Sequence, residues 1–235
     1  MSLLTIIANA TDRVGLVRPT SVVGATDPQT RQLLALANQE GVELARRHDW
    51  QGLTKEKTWT AAATQAQTGI LPSDFDRFVP GTFYNRTRSR MVTGPLTPQE
   101  WQDYQSRLTS IVYDAFRVRG ATLYLLPTPS GADTYAFEYV RNVWCASTGD
   151  TDPDQSAWAQ DTDVAFLPET LIELGVIWRY KHARGLDYAE DFRNFELQFA
   201  RITGRDGGKR TLNMGASVDK RIPRAPQAPD GNWSL

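Results

Sequence analysis

Few groups on this chain could carry chemistry. There are two histidines, His48 and His182. Each falls at the end of a helical stretch, where an imidazolium is favoured by the helix dipole. No serine sits in a G-x-S-x-G elbow, so nucleophilic catalysis has no visible machinery. Asp150, Asp152 and Asp154 alternate, as the first ligands of a calcium loop do. However, Gln155 stands where that loop needs glycine, Asp161 where it needs a bidentate glutamate, and Pro153 interrupts it. Carboxylate pairs for glycoside hydrolysis could be drawn from Asp161, Asp163, Glu169 and Glu173, as from any acidic chain. The phosphate-cradling patterns G-x-x-x-x-G-K-[ST] and G-x-G-x-x-G are missing, and Gly207–Gly208–Lys209–Arg210 reads as a basic turn. Arg86, Arg88 and Arg90 alternate along a predicted strand and could touch nucleic-acid backbone or a neighbouring subunit. One cysteine, Cys145, admits no intrachain disulfide and no cysteine zinc site. The residues therefore assign no catalytic group, no cofactor and no metal.

The elements that would position these groups are clearer. Ser2 caps a helix whose apolar face is Leu3, Ile7, Ala10 and Val14, and Gly15 stops it. Asp27 followed by Pro28 opens a second helix running to about His48, with Leu33, Leu34, Ala37, Gly41, Leu44 and Ala45 near one face. Gly41 weakens its interior by roughly 1 kcal/mol relative to alanine, which suggests that another backbone passes close. Lys57 to Ala63 and Phe83 to Val92 read as strands. Thr97, Pro98 and Glu100 form a capping box for a short helix carrying Trp101 and Tyr104. Phe116–Arg119 and Thr122–Leu126 flank a glycine turn, and Tyr135, Phe137 and Tyr139 alternate along a further strand.

The helical stretch from Phe166 to Gly204 organises the rest. Pro168 to Arg184 is apolar on more than one face and should be buried on several sides. From Tyr188 to Ile202, the residues Tyr188, Phe192, Phe195, Phe199 and Ile202 make one narrow seam, and Gly204 ends it. These two helices read as an antiparallel hairpin. The expected fold class is α+β, mainly helical: a four-helix bundle with an antiparallel β insertion and an extended C-terminal arm. Residues 1–50 and 164–204 form the bundle, 51–147 the β-rich insertion with one short helix, 148–163 an acidic loop, and 205–235 the arm.

The chain has 235 residues and a net charge of −1, which argues against a wholesale polyanion binder. Met1 to Ile7 is apolar but lacks a basic region, so it does not read as a signal peptide, and no later run is long enough to span a membrane. Seven tryptophans, eight tyrosines and nine phenylalanines are many for a chain with no apparent active site. Aromatics away from one core serve subunit contacts, and an arm that cannot fold alone lies on a partner. Together these features point to an assembly component.

LPSDFDRF at 71–78, GPLTPQEWQ at 94–102, FLPETLIELGVIWRYKHARGLDYA at 166–189 and RDGGKRTLNMG at 205–215 give the chain its further character. In these stretches and their order it resembles the head-to-tail connector adaptors of tailed bacteriophages, especially the podovirus tail-accessory or tail-tubular type. The resemblance implies a ring, usually of twelve copies, under the portal of a DNA-filled capsid and assembled in the host cytoplasm. It implies as partners the portal protein, a tail nozzle or next connector protein, and the genomic DNA passing through the channel, with no membrane. It places portal binding on the arm, through Arg205, Lys209, Arg210, Leu212, Met214, Arg221, Ile222 and Trp233. Subunit packing would fall to Leu171, Leu174, Trp178, Phe192, Phe195 and Phe199. Arg86, Arg88 and Arg90 would face DNA or a neighbour. The rival reading is a phage-associated cell-wall hydrolase using paired carboxylates; a third is a free nucleic-acid binder.

Overall fold

The structure, a computed structural model, describes residues 1–106 and 113–207. The chain runs α1 (Leu3–Val14), α2 (Pro28–Arg47), a one-turn 3-10 helix (Gln51–Leu53), β1 (Thr54–Thr60), β2 (Ala66–Gln67), β3 (Phe75–Phe78), β4 (Tyr84–Asn85) and β5 (Arg90–Met91). It continues through α3 (Pro98–Ser106), β6 (Ala115–Arg119), β7 (Thr122–Leu126), β8 (Thr134–Arg141), β9 (Cys145–Ala146), β10 (Val164–Ala165), α4 (Glu169–Ala183) and α5 (Ala189–Asp206). The residues divide into two compact units. One comprises Met1–Lys55, Asp74–Arg77 and the described part of Tyr139–Gly208; the other contains Glu56–Ser73 and Phe78–Glu138.

In the first unit the helix ends follow local chemistry. The Ser2 hydroxyl accepts the Thr5 N–H, and Gly15 closes α1 at a φ of 76°. The Asp27 carboxylate accepts the Thr30 N–H at 2.9 Å and opens α2. That N–H, then the Thr30 hydroxyl, holds the Asp27 carboxyl below its ordinary value. Helix α4 packs against α1, α2 and α5, which is why its apolar residues are not confined to one stripe. Leu171, Ile172, Val176, Ile177 and Tyr180 are all buried. Gly41 does admit a close neighbour, but the neighbour is the Trp144 indole rather than a backbone.

The four-helix bundle is overturned. The described residues hold five helices and ten strands in three sheets. The helices do not share one four-sided core: α4 is a hub, and strand pairing enters the same unit. Strands β9 and β10 pair antiparallel, Ser2 bridges to Val164, and the Leu3 N–H donates to the Asp163 carbonyl at 3.0 Å. Strand structure is thus also not confined to a single insertion. Nor does α5 stop at Gly204, since it runs on to Asp206.

The second unit is built on aromatic packing. Phe83 lies 4.6 Å from Phe116 and Phe78 lies 4.9 Å from Phe137, centroid to centroid, with Trp59 stacked on Tyr135 at 5.6 Å. Strands β2, β7 and β6 form one sheet, and β8, β4 and β5 follow one another in another. The alternation of Tyr135, Phe137 and Tyr139 suggests one buried face, yet Ala136 between them and Val140 just beyond them are buried too. Residues 83–92 are not one strand. β4 and β5 are arms of a hairpin, with Asn85 opposite Arg90 and Tyr84 opposite Met91, and Ser89 takes a φ of 51° in its turn.

The capping box forms as expected. The Thr97 N–H donates to Glu100 at 2.8 Å, and the Glu100 N–H donates to the Thr97 hydroxyl at 3.2 Å. These groups hold the Glu100 carboxyl below its ordinary value. Thr97→Ala is expected to move the Glu100 titration upward and to speed exchange of the Glu100 amide, both read by NMR; an unmoved titration would show that the box does not form in solution.

Candidate docking surfaces

The aromatic seam of α5 is largely used up inside the chain. Phe195 is buried, Phe192 packs edge-on to Trp178 at 5.2 Å, and Phe199 meets Trp50 at 6.1 Å. The Arg47 guanidinium lies 4.0 Å over the Phe199 ring and takes both oxygens of Glu196 at 2.9 Å. That hydrogen bonding holds the Glu196 carboxyl low. Of the residues expected to pack subunits, Leu171 and Phe195 are enclosed, Leu174, Trp178 and Phe199 are half-buried, and Phe192 is 40 % exposed. They hold the hairpin together before they can hold anything else.

Beneath this seam lies a charge cluster that residue types alone do not announce. Glu40 of α2 is completely buried and accepts a hydrogen bond from Arg179 Nε of α4 at 2.5 Å; Arg179 also reaches Glu43 at 2.5 Å. Gly175 faces the Glu40 side chain so closely that a methyl there would overlap it. Burial pushes the Glu40 carboxyl up, against the opposing pull of Arg179. The available signal was positional. Glu40 falls in helical register with Leu33, Ala37 and Leu44, so a charge occupies a core position.

The carboxylates open to a hydrolytic reading each have another task. Glu169 takes the Met1 amino group. Glu173 lies 3.1 Å from Arg13 Nε and accepts from Asn9. Asp163 accepts the N–H groups of Ala159 and Gln160, both at 2.8 Å. Asp161 accepts the N–H groups of Val22 and Val23. Burial pushes the Asp161 carboxyl up, but the Val23 and Val22 N–H groups and the Ser21 hydroxyl outweigh it and leave it low. In the acidic loop, Asp152 is held by Lys55 at 3.1 Å and Arg141 at 3.3 Å.

The three alternating arginines do not line one strand face. Arg86 pairs with Glu56, Arg88 reaches the buried Asp133 at 2.9 Å, and Arg90 returns along β5. At the same hairpin the cross-strand pair Tyr84 and Met91 stays 44 % and 38 % exposed. The last turn of α5 is anchored: Asp206 accepts the Gln51 N–H at 3.0 Å, with His48 Nε2 3.4 Å away. Arg205, first of the expected arm residues, lies in that turn. Lys209, Arg210, Leu212, Met214, Arg221, Ile222 and Trp233 lie outside the described residues.

Among the described residues no helix is long and apolar enough to cross a membrane. The family model described as SU10 adaptor protein matches residues 1–219. No curated protein matches the chain.

Proposed function

The chain belongs to the SU10 adaptor protein family, a family of phage head-to-tail adaptors, and from that premise we propose that it forms the adaptor ring joining a capsid portal to the tail. The observation that carries this reading is the extent of the match, which spans both units rather than one. Its role is structural, in the virion. The ring has twelve copies, surrounds the channel through which genomic DNA passes, and meets a tail nozzle or next connector protein on its other side. The segment after α5 is the portal-binding arm, through Lys209, Arg210, Leu212, Met214, Arg221, Ile222 and Trp233, whereas Arg205 lies within α5 and outside the arm. Its proline-rich end favours this, since proline reduces the conformational freedom lost when an extended segment is ordered on a partner. Leu174, Trp178 and Phe192, which keep exposed area at the hairpin, contribute to packing between copies.

The test is truncation after Gly207. Because Asp206 retains its contact with Gln51, the shortened protein should unfold at the same temperature as the full chain while no longer binding the portal protein of the same phage. Normal docking of the truncated chain overturns the arm assignment. A full-length chain that forms no ring, alone or on the portal, by light scattering and negative-stain imaging, overturns the adaptor-ring reading itself.

A further inference from the structure

The outward side of α5 carries a row that little else among the described residues uses. Arg193, Leu197, Arg201 and Arg205 recur every four residues, the ridge along which one helix fits into the groove of another surface. Leu197 is 47 % exposed within that row. Ala200 and Gly204 beside it are exposed as well, so a second surface can approach closely. Arg193 has only a 3.9 Å contact with the exposed Glu190. Neither Arg201 nor Arg205 has an ion-pair partner among the described residues. The same unit holds matching charge that is equally unused. In the loop between β9 and β10, Asp152 is taken by Lys55 and Arg141, whereas Asp150 and Asp154 are exposed and meet no cation among the described residues.

We propose that the α5 ridge of one copy docks on the β9–β10 loop of a second copy. Arg201 and Arg205 face Asp150 and Asp154, and Leu197 fills the apolar centre of the contact. The inference rests on the homo-oligomeric reading above and names the surfaces that would make it. An apolar centre flanked by arginines has the composition of a protein interface, whereas a track for phosphates gains nothing from a leucine at its middle. The two patches are distinct, so the contact can be made head-to-tail, and it builds a closed ring where the rotation from copy to copy closes.

Charge reversal in the full-length chain tests it. Arg201→Glu with Arg205→Glu, and separately Asp150→Arg with Asp154→Arg, should each weaken self-association by roughly tenfold or more in sedimentation and on portal rings. Thermal unfolding should stay unchanged, because all four side chains are exposed. Mixing the two variants, or combining all four changes in one chain, should restore assembly, since each interface then regains opposite charges. Full assembly by either double variant, or no recovery in the mixture, overturns the proposal while leaving the ring reading intact. A wild-type chain that never assembles overturns both. An α5 variant that assembles normally but loses retention of duplex DNA assigns the ridge to nucleic acid and overturns the proposal as well.

Discussion

Arg179→Met is expected to destabilise the first unit by about 3–5 kcal/mol, the usual consequence of stranding a buried charge. Glu40 is enclosed between α2 and α4, with Gly175 pressed against its side chain, so it can neither turn away nor take up water without parting the helices. Arg179 supplies the 2.5 Å hydrogen bond to it. Glu43, half exposed, loses the same partner but keeps its solvent. Replacing Glu40 and Arg179 together by methionine should recover most of the loss, because the polar groups and their desolvation leave together. Urea unfolding of the single and double variants measures the difference. A single variant as stable as the parent would show that water reaches Glu40.

The same pair makes a prediction in pH. The folded-state value for Glu40 is raised, chiefly by burial, so the folded protein holds this proton more tightly than the unfolded chain. The stabilisation from that proton is complete below the ordinary glutamate range and is lost as pH rises through the raised value. Without Arg179 the carboxyl is pushed further up, so the deficit of Arg179→Met should shrink as pH falls through the raised value toward the ordinary glutamate range. The low-lying carboxyls of Asp161 and Glu196 act in the opposite sense, losing their contribution as pH falls. They are present in both proteins, so their effect cancels in the comparison.

Trp144→Ala should cost about 3–5 kcal/mol, the range for emptying a large aromatic site. The indole is fully buried, donates its N–H to the Ser156 carbonyl at 2.9 Å, meets Trp158 edge-on at 5.0 Å and lies on Gly41. The companion change Gly41→Ala gives a sharper readout. Alone it gains roughly 1 kcal/mol of helix propensity but drives a methyl into the indole ring, which costs about 1–3 kcal/mol. It should therefore be neutral to destabilising in the parent and stabilising in the Trp144→Ala background. That change of sign, measured as a double-mutant cycle, reports the contact directly. Equal effects in the two backgrounds would place the indole elsewhere.

What could be read from residues was local. The caps at Ser2, Asp27 and Thr97 and the glycine at Gly15 act within a few residues, so their chemistry is complete in the sequence around them. The α4–α5 seam was legible for the same reason, as a period of side chains along one helix. Residues 83–92 were misread because alternating arginines fit a strand and a tight turn equally well, and the positive φ falls on Ser89, a residue that does not advertise it. The bundle was misread because an all-round apolar helix says that it will be covered, not by what. The cover on α4 comes from α1 and α2, more than a hundred residues earlier, and α1 in turn is tied to the short strand β10. Glycine at 204 reads as a stop, but the helix continues to Asp206, whose carboxylate is fixed by a distant backbone N–H at Gln51. Among the docking surfaces, the α5 ridge was present as spacing. That Arg201 and Arg205 have no ion-pair partner among the described residues depends on where distant carboxylates fold, which spacing along one helix does not give.

The order of manufacture gives the Glu40–Arg179 pair another meaning. The two residues are 139 positions apart, so at ordinary elongation rates the ribosome exposes the first on the order of 10–30 s before the second is made. During that interval α2 presents an apolar face with an ionised carboxylate set into it. Any chance hydrophobic surface that covers the face must desolvate that charge without a guanidinium to meet it. The penalty is lifted only when α4 arrives. A covering surface that lacks a guanidinium therefore gains less from burying this face than α4 does.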